Sequence, residues 1–135
     1  MEIDVRELCV ERGPDACAQT RDWVCSLSSQ LPSRVAADVE LLTHELVTNA
    51  FRHSDTERAW ITMLVLPGSL LVQVTDEGTG EPHVRPLSPY GESGRGLHWV
   101  SALASAWGIH KGSTTGVWFQ VDCPIVDLVL SGASV

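Results

Sequence analysis

Two apolar, alternating segments joined by a two-residue turn constrain the fold of this chain most strongly. Residues 58–66 and 69–76 each carry apolar side chains at every second position, which is the period of a β-strand with one buried face. Pro67 and Gly68 stand between them, and both are typical turn residues. The sequence therefore predicts a β-hairpin whose inner face packs against another layer.

The remaining segments alternate between helical and strand-like patterns. The first strand is expected to contain a bulge near Arg6 and Glu7, because its apolar residues change phase there. The order of elements predicts an α+β fold, a two-layer α/β sandwich with helices on one face of a mostly antiparallel sheet. The predicted elements are strands at 2–11, 58–66, 69–76, 107–111 and 116–123 and helices at 14–30, 33–53 and 94–106.

Length and composition limit the classes of protein to consider. The 135 residues suit one domain, which we place at 1–123, followed by an apolar tail at 124–135. Nine Lys and Arg against 17 Asp and Glu give a net charge of −8, which disfavours binding to nucleic acid or to an anionic membrane. No apolar run reaches the ~18–20 residues of a membrane span. We therefore expect a cytoplasmic protein.

The four cysteines give little indication of a metal or redox site. Cys9, Cys17, Cys25 and Cys123 form no Cys-x-x-Cys pair, the spacing that such sites commonly use. They are expected to be small buried thiols in a reducing cytosol.

A carboxylate and an amide share one face of the second predicted helix. Glu45 and Asn49 are four residues apart, so they lie one above the other at the edge of the apolar stripe. Their oxygens could hold a hard cation and orient a hydroxyl or a water. The alternative is that Glu45 and Asn49 simply flank the apolar face of an ordinary helix and have no function.

A second motif follows the hairpin. Strand alternation puts Asp76 on the same face as Val72 and Val74, so the carboxylate enters a mostly apolar site and needs a donor there. A ligand amine would serve, and Gly78 and Gly80 would let the backbone approach a flat ligand closely. The alternative is a plain Asp-x-Gly turn.

A third motif opens the last predicted helix. Gly94 and Gly96 leave free backbone N–H groups at a helix N-terminus, which favours an anion. Arg95 can add charge-assisted bonds to a phosphate. The alternative is a flexible junction between loop and helix.

Taken together and in this order, the three motifs resemble the ATP-binding domain of the GHKL family, of the Bergerat type. Glu-x-x-x-Asn on a helix precedes the hairpin, Asp-x-Gly-x-Gly ends it, and Gly-x-Gly-Leu opens a later helix. Residues 45–50, 52–54 and 94–97 are most similar to bacterial anti-sigma-factor serine/threonine kinases, which are domains of about this length. The resemblance covers residues 14–123.

The resemblance implies a role for each matching residue. Asn49 would be the Mg²⁺ ligand, Glu45 the catalytic base that activates the attacking hydroxyl, and Asp76 the acceptor for the adenine amino group. Residues 81–93 would form a lid over ATP or ADP. The other nucleotide-binding positions implied are Gly78, Gly80, Gly94, Arg95, Gly96, Leu97 and Thr115.

One position departs from the family pattern. The family usually has a threonine near the adenine, two residues before an aromatic residue of the last strand, where this chain has Gly116 before Val117 and Trp118. Thr115 or Thr114 could substitute if the turn shifts, and Thr115 could instead be a solvated turn residue.

The function implied is a magnesium-dependent protein serine/threonine kinase of the anti-sigma type. Its partners would be an anti-sigma-factor antagonist with an acceptor Ser or Thr, a sigma factor, or both, and a homodimer is possible. An alternative is a non-catalytic nucleotide-binding module that acts only by holding a partner. A stand-alone metabolic ATPase is a third alternative.

Overall fold

A five-stranded, fully antiparallel sheet underlies the fold. The computed structural model describes residues 4–28, 31–77 and 103–123, and within them the strand order is β1-β2-β3-β5-β4. The predicted hairpin is confirmed, with the bounds that the sequence indicated. The elements are β1 (Asp4–Glu11), α1 (Ala16–Ser28), α2 (Ser33–His53), β2 (Arg58–Leu66), β3 (Ser69–Asp76), β4 (Ala106–Lys111) and β5 (Thr115–Asp122).

The core lies between one face of the sheet and the two helices. Alternation within β2, β3 and β5 sends every second side chain to this face, and the longest helix, α2, covers it with Val39, Leu42 and Leu46, all at most 2% exposed. This arrangement confirms the predicted α+β two-layer fold class. The buried apolar residues of β2, β3 and β5 are Ala59, Ile61, Met63, Val65, Leu70, Val72, Val74, Val117, Phe119 and Val121, and β1 adds Val10.

The first strand differs from the sequence prediction. β1 pairs with β2 residue for residue, from Asp4 opposite Val65 to Glu11 opposite Arg58, so there is no bulge at Arg6 and Glu7. The regular register sends Val5 to the face away from the helices, where it is 56% exposed. An edge strand tolerates this exposed apolar residue, so the change of apolar phase needs no bulge to explain it.

The cysteines correct a second expectation. Only Cys123 is buried, whereas Cys9, Cys17 and Cys25 are exposed, and all four are free thiols. The Cys25 thiol lies 3.4 Å from the Glu40 carboxylate. That hydrogen bond, together with the charge of Glu40, raises the pKa of Cys25, because the carboxylate disfavours a neighbouring thiolate.

Several sequence predictions fall on residues outside the described part of the chain. These are the helix at 94–106 for most of its length, the lid at 81–93 and the tail at 124–135. No helix among the described residues is both long enough and apolar enough to cross a membrane.

The buried hydroxyl of Thr43 gives a test of the core. Thr43 is fully buried in α2, and its Oγ1 has no hydrogen-bond partner within the described part of the chain. We expect Thr43→Val to raise the free energy of unfolding by about 1 kcal/mol, because it removes an unpaired polar group at nearly constant volume. Urea unfolding measures the change.

Thr20→Val is the matched control. The Thr20 hydroxyl is also buried but donates to the carbonyl of Ala16 at 2.8 Å, so its removal should not stabilise the protein. A Thr43→Val protein no more stable than the wild type would contradict the prediction.

Candidate functional site

The candidate site is built around Asp76 at the end of β3. Its side chain is only 7% exposed and lies on the helix-covered face, continuing the row of Val72 and Val74. In the sheet, Asp76 is opposite Ala59 of β2 on one side and Thr115 of β5 on the other. A carboxylate in such a place requires hydrogen-bond donors, as the sequence predicted.

Two hydroxyl residues of the loop after α2 contact this end of β3. Ser54 Oγ donates to Asp76 Oδ1 at 3.4 Å. Thr56, which is 3% exposed, accepts the backbone N–H of Glu77 on its Oγ1 at 3.1 Å and donates the same hydroxyl to the carbonyl of Arg58 at 2.6 Å. The loop therefore contacts both Asp76 and the residue that follows it.

Helix α2 carries the predicted carboxylate and amide pair. Glu45 and Asn49 are both half-buried and lie one turn apart, about 6 Å along the helix axis. Asn49 is four residues, or about 6 Å of helical rise, before α2 ends at His53, and the next residue, Ser54, contacts Asp76. The structure thus brings the end of α2 and the end of β3 to the same end of the sandwich.

The register of β5 resolves the position of Thr115. β5 begins at Thr115, one residue earlier than predicted, and pairs this residue with Asp76. Residues directly opposite in a sheet point to the same face, so Thr115 lies on the face that carries Asp76 and is a strand residue. Gly116 lies on the other face, where an added Cβ would meet Thr75 Oγ1 at 3.2 Å.

Sequence reasoning missed one residue that organises this region. The Arg12 guanidinium donates to the carbonyl of Thr56 at 2.9 Å and to that of Ser54 at 2.7 Å, and it lies 5.3 Å from the centre of the Phe51 ring. Its partners are backbone atoms 42 and 44 residues away. No local pattern marks such a contact, whereas the hydroxyl pair at 54 and 56 directly after a helix was a visible signal.

The glycine motifs fall outside the described residues. The predicted nucleotide-binding positions that lie outside the described residues are Gly78, Gly80, Gly94, Arg95, Gly96 and Leu97. The described part of the site therefore consists of Glu45, Asn49, Asp76 and Thr115, together with the loop residues that contact Asp76.

The chemistry of these residues fits a nucleotide with a divalent cation. An amide oxygen and a carboxylate, at Asn49 and Glu45, are the donors that Mg²⁺ prefers, and this ion commonly takes its other ligands from water and phosphate. The described residues contain no group of three or more His, Cys, Asp or Glu placed to hold a metal. The nearly buried Asp76 is a suitable acceptor for a base amino group.

Comparison with known proteins gives one family. The family model described as histidine kinase-like ATPase domain matches residues 10–121, a range that contains every described site residue. No curated protein matches the chain.

Solved structures show a related fold. The histidine kinase domain of the Erythrobacter litoralis EL346 blue-light activated histidine kinase matches 86% of this chain and 63% of its own length, with a TM-score of 0.57 and 19% identity. A further structure of the blue-light activated histidine kinase from Erythrobacter litoralis EL346 matches 80% of this chain and 41% of its own, with a TM-score of 0.55 and 20% identity. The chain thus spans less than two thirds of either, and at these identities the likeness concerns the fold alone.

Proposed function

The chain belongs to the histidine kinase-like ATPase domain family, and from that premise we propose that it binds ATP with Mg²⁺ and acts as a protein serine/threonine kinase of the anti-sigma type. Family membership supports the nucleotide and the kinase-like chemistry. The assignment to the anti-sigma type is supported by the amino-acid sequence at residues 45–50, 52–54 and 94–97, which resembles that of anti-sigma-factor kinases.

The observation that carries the proposal is the placement of Asp76. Its carboxylate is 7% exposed, lies at the end of a central strand and shares one end of the sandwich with the last turns of α2. A buried acceptor of this kind selects a ligand that brings its own donor, and the adenine amino group is such a donor. The burial and position of Asp76 therefore support the proposal that the base end of the nucleotide lies here.

Glu45 and Asn49 would serve the phosphate end. The Asn49 amide oxygen would hold Mg²⁺, which neutralises charge on the phosphates when it is bound. The Glu45 carboxylate would accept the proton of an acceptor hydroxyl as that oxygen attacks the terminal phosphoryl group. Positioning and electrostatic stabilisation account for most of the rate acceleration in phosphoryl transfer.

The proposed partner is a small antagonist protein with an acceptor Ser or Thr, and a sigma factor is the proposed target of sequestration. We also propose that the protein acts in the cytoplasm and can form a homodimer. The net charge of −8 supports a protein partner over a nucleic acid.

Two measurements on the wild type test the proposal. Thermal unfolding with and without Mg-ADP reports the nucleotide site, since ligand at ~100-fold its dissociation constant adds about 2.7 kcal/mol. Incubation with γ-labelled ATP and purified anti-sigma-factor antagonists reports transfer. Acid-stable label on the antagonist is expected for a serine or threonine ester, whereas acid-labile label would indicate histidine. Nucleotide binding with no transfer would favour the non-catalytic module.

Thr115 gives a prediction about the adenine side. We expect Thr115→Val to weaken Mg-ADP binding about threefold to tenfold, because the side chain shares a face and a register position with Asp76 and loses a hydroxyl of ordinary hydrogen-bond strength. Calorimetric titration measures the affinity. Thr114→Val, in the preceding turn, is the control, and equal binding by wild type and Thr115→Val would place Thr115 outside the nucleotide site.

A further inference from the structure

The loop between α2 and β2, residues 54–57, forms side-chain hydrogen bonds to the end of β3. Ser54 contacts Asp76, and Thr56 holds the N–H of Glu77 while donating to Arg58. The loop thus touches the last residue of β3 and the next one. Such contacts fix where the strand ends and how its last side chain is turned.

The hydrogen bonds of Ser54 have a fixed direction. Ser54 Oγ accepts the backbone N–H of Thr56 at 3.1 Å, so its own hydrogen is directed to another acceptor. That acceptor is Asp76 Oδ1, at 3.4 Å. A carboxylate has about four lone-pair sites, so Asp76 can accept the Ser54 hydroxyl and further donors together.

Arg12 holds the loop from the other side. Its guanidinium donates to the carbonyls of Ser54 and Thr56, and its own N–H donates to the carbonyl of Glu57 at 2.8 Å. The planar fork suits this double contact, which the single ammonium of a lysine would not reproduce. Both residues that contact β3 are therefore anchored through their backbones to the end of β1.

We propose that Ser54, held in place by Arg12, is a positioning residue that orients the Asp76 carboxylate toward a base bearing an exocyclic amino group. The inference rests on the proposed nucleotide site and adds a determinant of base selectivity to it. Ser54 acts through Asp76, so its contribution concerns only ligands that present an amino donor. At 3.4 Å the bond is long for a hydroxyl to a carboxylate, so its effect is modest.

The test compares two ligands that differ only at the base amino group. Calorimetric titration in Mg²⁺ buffer uses ADP and purine riboside 5′-diphosphate, which lacks the 6-amino group. We expect Ser54→Ala to weaken ADP about threefold to tenfold and to leave purine riboside diphosphate unchanged. Ser54→Thr should restore the ADP preference, since its hydroxyl remains and residue 54 has an extended backbone, φ −138° and ψ 156°, which β-branched residues adopt readily.

Two further variants separate positioning from stability. Ser105→Ala is the control, because the Ser105 hydroxyl donates to the carbonyl of Gln120, five strand positions from the Asp76 pair and so about 17 Å away. Arg12→Lys should lower the preference for ADP in the same sense as Ser54→Ala. Unfolding midpoints of all variants are measured without ligand, so that a loss of stability is not taken for a loss of selectivity.

The outcomes distinguish this inference from the proposed function. If Ser54→Ala weakens both ligands equally, or neither, the positioning role is wrong while the nucleotide site stands. If ADP binds the wild type and Ser54→Thr fails to restore the preference, the hydroxyl is not the determinant and the inference also fails. If the wild type binds neither ligand, the proposed function itself is wrong.

Discussion

Replacing Asp76 by asparagine should remove between about half and nearly all of the thermal stabilisation that Mg-ADP gives. The substitution keeps the size of the side chain but removes the charge and one acceptor oxygen. Charged hydrogen bonds are worth about twice neutral ones, and Asp76 is 7% exposed, so solvent cannot compensate. We expect the affinity to fall about 10- to 100-fold, which corresponds to the 1.5–3 kcal/mol typical of a hydrogen bond to a charged group.

The size of the effect makes the thermal test decisive. A ligand concentration that adds about 2.7 kcal/mol to the wild type adds only about 0.4 kcal/mol after a 100-fold loss of affinity. Asp122→Asn is the matched control, since Asp122 is exposed and lies at the other end of β5 from Thr115. A full shift in Asp76→Asn would mean that the nucleotide does not use this carboxylate.

Asp76 also illustrates what sequence reasoning could reach. The hairpin was predictable to the residue because strand alternation and the Pro67-Gly68 turn are local signals. Alternation then placed Asp76 on the apolar face, and the buried side chain confirms that placement. The i, i+4 relation of Glu45 and Asn49 follows from helical geometry alone.

The features that the sequence did not indicate depend on partners distant in the chain. Arg12 contacts the carbonyls of Ser54 and Thr56, and backbone acceptors have no residue-type signature. The start of β5 at Thr115 follows from pairing with β3, whereas the local sequence suggested a turn. In β1 the change of apolar phase suggested a bulge. The strand is instead regular, and the residue that is out of phase, Val5, is exposed.

The second large effect is expected at Glu45, on the phosphate side of the proposed site. Glu45→Gln keeps the length, the half-buried position and the helix propensity of the side chain, but glutamine cannot accept a proton at neutral pH. We therefore expect phosphoryl transfer to an antagonist protein to fall about 10²- to 10⁴-fold, the usual contribution of a general base. The initial rate of labelling from γ-labelled ATP measures this loss.

The affinity for Mg-ADP shows whether Glu45→Gln impairs the reaction step or nucleotide binding. Glu45→Gln should bind Mg-ADP as the wild type does, because Asp76 and Asn49 remain in place, so the loss belongs to the reaction step. Glu40→Gln is the matched control on the same helix, since Glu40 lies on the side that contacts Cys25 of α1, and its transfer rate should be unchanged. Undiminished transfer by Glu45→Gln would remove Glu45 from the role of base and leave it a residue of the helix surface.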